Sequence, residues 1–88
     1  MRYGIALTPR AQKEFGELPE HVRKRVARWF DLLADDPRRE GTKKLQGLDG
    51  LRRVHAGKDY VIVYAVRDKD VLVLVVRIGH RREVYRGL

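Results

Sequence analysis

Apolar residues recur along this chain with two different periods, and the change from one to the other divides it into parts. Tyr3, Ile5 and Leu7 alternate with other positions, as one face of a strand does. Thr8-Pro9 follows, an N-cap residue and a favoured first-turn proline, so a helix is predicted from Pro9. Ala11, Phe15 and Leu18 then lie at i, i+4 and i+7. Pro19 can open a second helix, with Glu20 in its first turn, where the helix dipole favours a carboxylate. Val22, Val26, Trp29, Phe30 and Leu33 form the apolar stripe of that helix, while Arg23, Lys24 and Arg28 occupy other faces. Asp36-Pro37 ends it. These spacings predict an αα-hairpin with a basic exterior.

Residues 37–50 are polar and contain Gly41, Gly47 and Gly50, which predicts a loop with a short helical turn around Lys43 to Gln46. Period two then returns. Leu51 to Ala56, Tyr60 to Val66 and Val71 to Ile78 read as three strands, with short turns at Gly57-Lys58-Asp59 and at Arg67 to Asp70. Links this short imply an antiparallel meander. The third strand is apolar on both faces, as a central strand is when helices cover one side and something else covers the other. Gly79 is expected to break it, and His80 to Arg86 to form a short C-terminal helix. The predicted fold is α+β: an N-terminal strand, the αα-hairpin, the three-stranded meander and the terminal helix, with the helices packed on one antiparallel sheet. No repeat or linker interrupts residues 1–88, so one domain is expected.

Composition adds a compartment and a class of partner. The chain has no cysteine, which suits a reducing compartment. Its longest apolar run, Val71 to Val76, is too short to span a bilayer, and Met1-Arg2-Tyr3-Gly4 lacks the apolar core of a signal peptide. A cytoplasmic location without membrane contact is expected. The formal charge is +8. Residues 1–42 carry 9 basic and 7 acidic side chains and residues 43–88 carry 11 and 5, an excess of +2 against +6. A field concentrated in this way favours polyanions, because neutralising phosphates releases counterions; basic residues that only solubilise the surface give the same count.

Several chemistries are excluded. The chain has no serine and no P-loop, GxGxxG or GxSxG motif. His21, His55 and His80 lack metal-ligand spacing, and the acidic residues form no cluster for a two-metal nuclease. No metal and no cofactor is expected. RNA can be cut without metal when a ribose 2′-hydroxyl is activated against its neighbouring phosphate by a base, an acid and stabilising cations. The segment Arg77-Ile78-Gly79-His80-Arg81-Arg82-Glu83-Val84-Tyr85-Arg86 holds several such groups. Arg53 and His55 project from one face of their strand at i, i+2, with Arg52 opposite. Neighbouring positive charge favours a phenolate, and a phenol ring can stack on an unpaired base, so Tyr85 is the first catalytic candidate. The plainer alternatives are that the tail caps a sheet edge, that His55 faces solvent and that Arg53 makes a salt bridge. Tyr60, Tyr64 and Ile62 share a face and read as core. Trp29 reads as core or partner interface, and His21 has no evident chemical partner.

The order of elements, together with Arg53-Val54-His55, Asp59-Tyr60-Val61-Ile62-Val63-Tyr64 and Gly79-His80-Arg81-Arg82-Glu83-Val84-Tyr85-Arg86, resembles the RelE branch of the RelE/ParE toxins. Thr8-Pro9-Arg10-Ala11 and Leu45-Gln46-Gly47-Leu48 extend the likeness over nearly the whole chain. The resemblance implies a ribosome-dependent mRNA endonuclease acting in the ribosomal A site. It also implies a cognate, RelB-like antitoxin that covers the basic cleft and displaces the terminal helix. The free toxin is then a monomer that forms a hetero-oligomer with its antitoxin. Carried over by position, Arg53 and His55 match paired basic residues, Arg81 a phosphate-stabilising arginine and Tyr85 the C-terminal tyrosine. His80 stands where some relatives have an ionisable residue. Arg52, Lys58, Arg77, Arg82 and Arg86 are the expected RNA contacts. Val61 departs from the pattern, since many relatives have arginine there, and Arg77 is a possible substitute for that cation. A ParE-like gyrase inhibitor and a catalytically weak nucleic-acid or antitoxin-binding relative remain the alternatives on the same fold.

Overall fold

The computed structural model describes residues 2–88; Met1, part of the stretch read above for a leader, lies outside them. Strand β1 (Gly4–Leu7) leads through Thr8 into α1 (Pro9–Glu17). The Thr8 side chain accepts from the Ala11 amide at 3.1 Å, capping the helix as its place before Pro9 predicts. Helix α2 (Glu20–Asp35) follows, then β2 (Thr42–Lys44), β3 (Leu51–His55), β4 (Tyr60–Arg67), a single 3-10 turn and β5 (Leu72–His80).

The five strands lie in the order β1-β5-β4-β3-β2. The α+β class is the one predicted, and three features of it differ from expectation. The sheet is mixed, because β1 pairs with β5 in parallel, Gly4 beside Leu72 and Leu7 beside Val75. The helices carry the chain from β1 to the far edge, and three hairpin reversals return it alongside β1 in the same direction. Next, Thr42–Lys44 is a strand rather than loop or helical turn, pairing Thr42 with Val54 and Lys44 with Arg52. Three residues are too short a run for periodicity to register. They are held extended by β3, and Lys43 and Lys44 are exposed on the sheet's edge, where lysine discourages further pairing.

Finally, no terminal helix forms. β5 continues through Gly79, opposite Val61, to His80, opposite Tyr60. The remaining residues fold into successive turns, with the Glu83 and Val84 amides both donating to the His80 carbonyl at 2.9 Å. So short a segment gains too few helical hydrogen bonds to offset nucleation. Gly79 does not end the strand, and a Cβ there would meet Val84 Cβ at 3.7 Å, an ordinary van der Waals contact.

Both faces of the sheet are covered. On one, Ala11, Val22, Val26 and Leu33 of the helices pack on Val54, Ile62, Tyr64, Val73, Val75 and Ile78, with Trp29 half-buried at the margin of this core. On the other, Val61 and Val63 meet Val84 of the tail, flanked by Leu45, Leu51 and Val76. β5 is an interior strand, as expected, but β4 is the central one. On the second face the tail buries Val61 and Val63 of β4, while Val76 of β5 stays half-buried. Among the described residues no helix is long and apolar enough to cross a membrane.

Two polar contacts tie the loops to this frame. The buried Tyr64 hydroxyl donates to the Pro37 carbonyl at 2.7 Å, anchoring the chain just after α2. Asp68 accepts from both terminal nitrogens of Arg38, at 3.1 and 2.9 Å, and from the Tyr3 hydroxyl at 2.8 Å. The Arg38 and Tyr3 hydrogen bonds lower the Asp68 carboxyl from 3.8 to about 2. A depressed pKa stabilises the fold above the unfolded value and the effect is lost as pH falls from there through about 2, so Asp68→Asn should flatten that part of the acid-unfolding curve. Tyr64→Phe, which leaves the Pro37 carbonyl buried without its donor, should lower the urea-unfolding free energy by about 1–3 kcal/mol.

Candidate active site

The pleat of β3 sorts its basic residues. Arg53 lies opposite Val63 and His55 opposite Val61, on the face closed by the tail, whereas Arg52 lies opposite Tyr64 of the helix-side core. The tail is brought to Arg53 and His55 by two attachments. The Arg81 amide donates to the Asp59 carbonyl at 2.7 Å, and Val84 is wholly buried on the sheet. Tyr85, the next residue, is left 38% exposed.

Between these elements is an open cleft of about 500 Å³. Arg53, His55, Arg81 and Tyr85 line it together with Leu45, Gln46 and Leu48. The last three are contributed by a turn in which the Leu45 amide donates to the Leu51 carbonyl at 3.0 Å and the Leu51 amide to Leu48 at 3.2 Å. Gln46 is the polar group that reading for chemistry missed. Its segment was noted only as part of a resemblance, and its place at the cleft depends on β2 pairing with β3.

His55 is exposed to solvent, and the partial desolvation of its ring, then the positive charges of Arg53 and Arg81, hold its pKa below the ordinary 6.5. The imidazole is therefore neutral at physiological pH and able to accept a proton, beside two guanidinium groups suited to a phosphate. Asp59 partly balances the cleft, its carboxylate lying 4.0 Å from Arg81 Nε at a half-exposed site.

Other expected site residues lie elsewhere. The His80 ring meets Tyr60 edge-on at 5.9 Å, and its Nδ1 accepts from the Arg82 amide at 3.2 Å, so His80 does not line the cleft. Arg52 donates to the Thr42 hydroxyl at 2.8 Å on the opposite face. Arg77 is buried against Glu14, which removes it as a substitute for the missing strand cation. Lys58, Arg82 and Arg86 are exposed, the first on the β3–β4 turn and the others on the tail. Val61 is completely buried beneath Val84, so the residue that departs from the family pattern forms part of the tail's apolar seat. Among the described residues no three His, Asp or Glu side chains converge as metal ligands.

A family model described as the ParE toxin of the type II toxin-antitoxin system, parDE, matches residues 5–85. The chain belongs to the RelE/ParE toxin family. This toxin is 32% identical over 85 residues to Toxin RelE of Mycobacterium tuberculosis, an alignment covering 96% of this chain and 87% of that protein. Its fold superposes on the crystal structure of the isolated E. coli RelE toxin with a TM-score of 0.78 and 29% identity, covering 89% of this chain and 83% of the other. The toxin in the intact E. coli RelBE toxin–antitoxin complex is similar too, with a TM-score of 0.79, 29% identity, and coverage of 89% and 95%. If Arg81 shapes the His55 environment as described, Arg81→Gln in this toxin should raise the His55 pKa, read from the pH titration of its imidazole NMR signals.

Proposed function

We propose that this toxin cuts messenger RNA in the ribosomal A site by attack of a ribose 2′-hydroxyl on the adjacent phosphate. The observation that carries this reading is the convergence of Arg53, His55, Arg81 and Tyr85, from a strand and a tail, on one open cleft. His55, held neutral, takes the 2′-hydroxyl proton, and Arg53 and Arg81 stabilise charge on the phosphate. Tyr85 returns a proton to the departing 5′-oxygen. His80, an expected alternative for the acid or base role, has no part because it faces Tyr60.

In-line attack requires the strand to be held in one alignment, and a cleft this open does not clamp it. A ribosome presenting a fixed codon supplies the missing constraint, which supports dependence on the ribosome. A RelB-like antitoxin is proposed as the neutralising partner, supported by the E. coli relative, which forms a RelBE toxin–antitoxin complex. The free toxin is then a monomer acting in the cytoplasm.

The matched model's description as a ParE toxin favours a second reading, in which the same fold inhibits DNA gyrase by binding it. Induced expression with mapping of transcript ends separates the two. Cuts inside translated codons should appear, and Tyr85→Phe or Arg81→Ala should reduce them about 10²- to 10⁴-fold. DNA-damage signalling with intact transcripts would instead support gyrase inhibition. A base must be deprotonated, so cleavage by the wild type should fall as pH drops through a His55 pKa lying below 6.5. His55→Gln should remove that limb of the pH–rate profile.

A further inference from the structure

Where β1 ends, α1 takes over its edge of the sheet. β1 pairs with β5 only as far as Val75. Beyond it, Thr8 Oγ1 donates to the Val76 carbonyl at 3.2 Å, and Glu14 Oε1 accepts from the Ile78 amide at 2.9 Å. A helix carboxylate thus satisfies a strand amide that β1 does not reach. The same carboxylate receives Arg77 Nε, at 3.0 Å to Oε2 and 3.3 Å to Oε1. Both partners are well shielded, the Arg77 side chain 9% exposed and that of Glu14 20%.

The far end of Arg77 makes the contact that matters for the cleft. Its Nη1 donates to the Arg86 carbonyl at 2.8 Å, one residue beyond Tyr85. Val84, one residue before Tyr85, is fixed in its apolar seat on Val61 and Val63. Tyr85 is therefore bracketed by two anchors, one apolar and one a hydrogen bond from a guanidinium to a backbone carbonyl. The planar guanidinium can serve Glu14 and the tail together because its donors diverge from a rigid fork, whereas a lysine ammonium is a point charge. Nε and Nη1 are thereby committed to the protein, and Arg77 does not line the cleft of Arg53, His55, Arg81 and Tyr85.

We propose that Glu14 and Arg77 are a positioning pair, transmitting the docking of α1 on β5 to the tail and holding Tyr85 toward Arg53 and His55. The inference rests on the reading of Tyr85 as a catalytic residue, and its test separates the two. Backbone ¹⁵N order parameters are measured on the full-length toxin, alongside ribosome binding and single-turnover cleavage on ribosomes programmed with a short message. In Arg77→Lys the order parameters of residues 85 and 86 should fall from about 0.85 to below about 0.6, with Val84 and the sheet unchanged. Ribosome affinity should stay within about threefold while cleavage at saturation drops about tenfold or more, as expected when a reacting group loses its orientation. Glu14→Gln should act in the same direction, because it removes the charge that holds Arg77. Weakened binding with an ordered tail and an unchanged saturating rate would overturn the proposal and return Arg77 to a phosphate contact. Loss of order spread through the sheet would also overturn it, by making the pair a general support of the fold. A wild-type toxin that cuts no message would sink the nuclease reading, and the order parameters alone would then decide whether the pair holds the tail.

Discussion

Val84 is the one fully buried residue of the tail, and its contact with Val61 and Val63 closes the face of the sheet that the helices leave bare. Two helices can cover only one side of a sheet this small, and valines exposed on the other would cost about 25 cal/mol per Å² of apolar surface. The tail supplies that cover, and in doing so it carries Arg81 and Tyr85 to the edge where Arg53 and His55 emerge. Assembly of the cleft is thus a consequence of burying the second face. Val61 gives the tail an apolar floor where a charged side chain would not fit without a partner.

Charge divides between this frame and the cleft. Arg77 is tied to Glu14 and Arg86, and Arg38 to Asp68, so two of the basic residues serve structure. Arg53 and Arg81 remain at the cleft, close enough to His55 to disfavour its protonated form. A neutral acceptor between cations is the arrangement that general-base catalysis on a phosphodiester requires.

Much of this was legible in the sequence because it depends on local periodicity. The Thr8-Pro9 cap, both helices, the three strands of the meander and the separation of Arg53 and His55 from Arg52 all follow from spacing of 3.6 or 2 residues. What escaped depends on pairing at a distance. β2 is extended only because β3 lies beside it, β1 is parallel only because of the reversals between it and β5, and the tail is non-helical because Val84 gains more from the sheet than from a short helix. The same holds for the site. Tyr85, Arg81, Arg53 and His55 were found from residue chemistry and resemblance, whereas Gln46 and the commitment of Arg77 to Glu14 appear only once the elements are packed.

The central claim is that the cleft activates a ribose hydroxyl against its own phosphate. The direct test presents the toxin with ribosomes carrying a message in which the nucleotide before the cut has a single 2′-deoxy sugar. Cleavage should be lost on that message and persist on the all-ribose control, whose downstream fragment should carry a 5′-hydroxyl. Equal cutting of both messages, leaving a 5′-phosphate, would contradict the account.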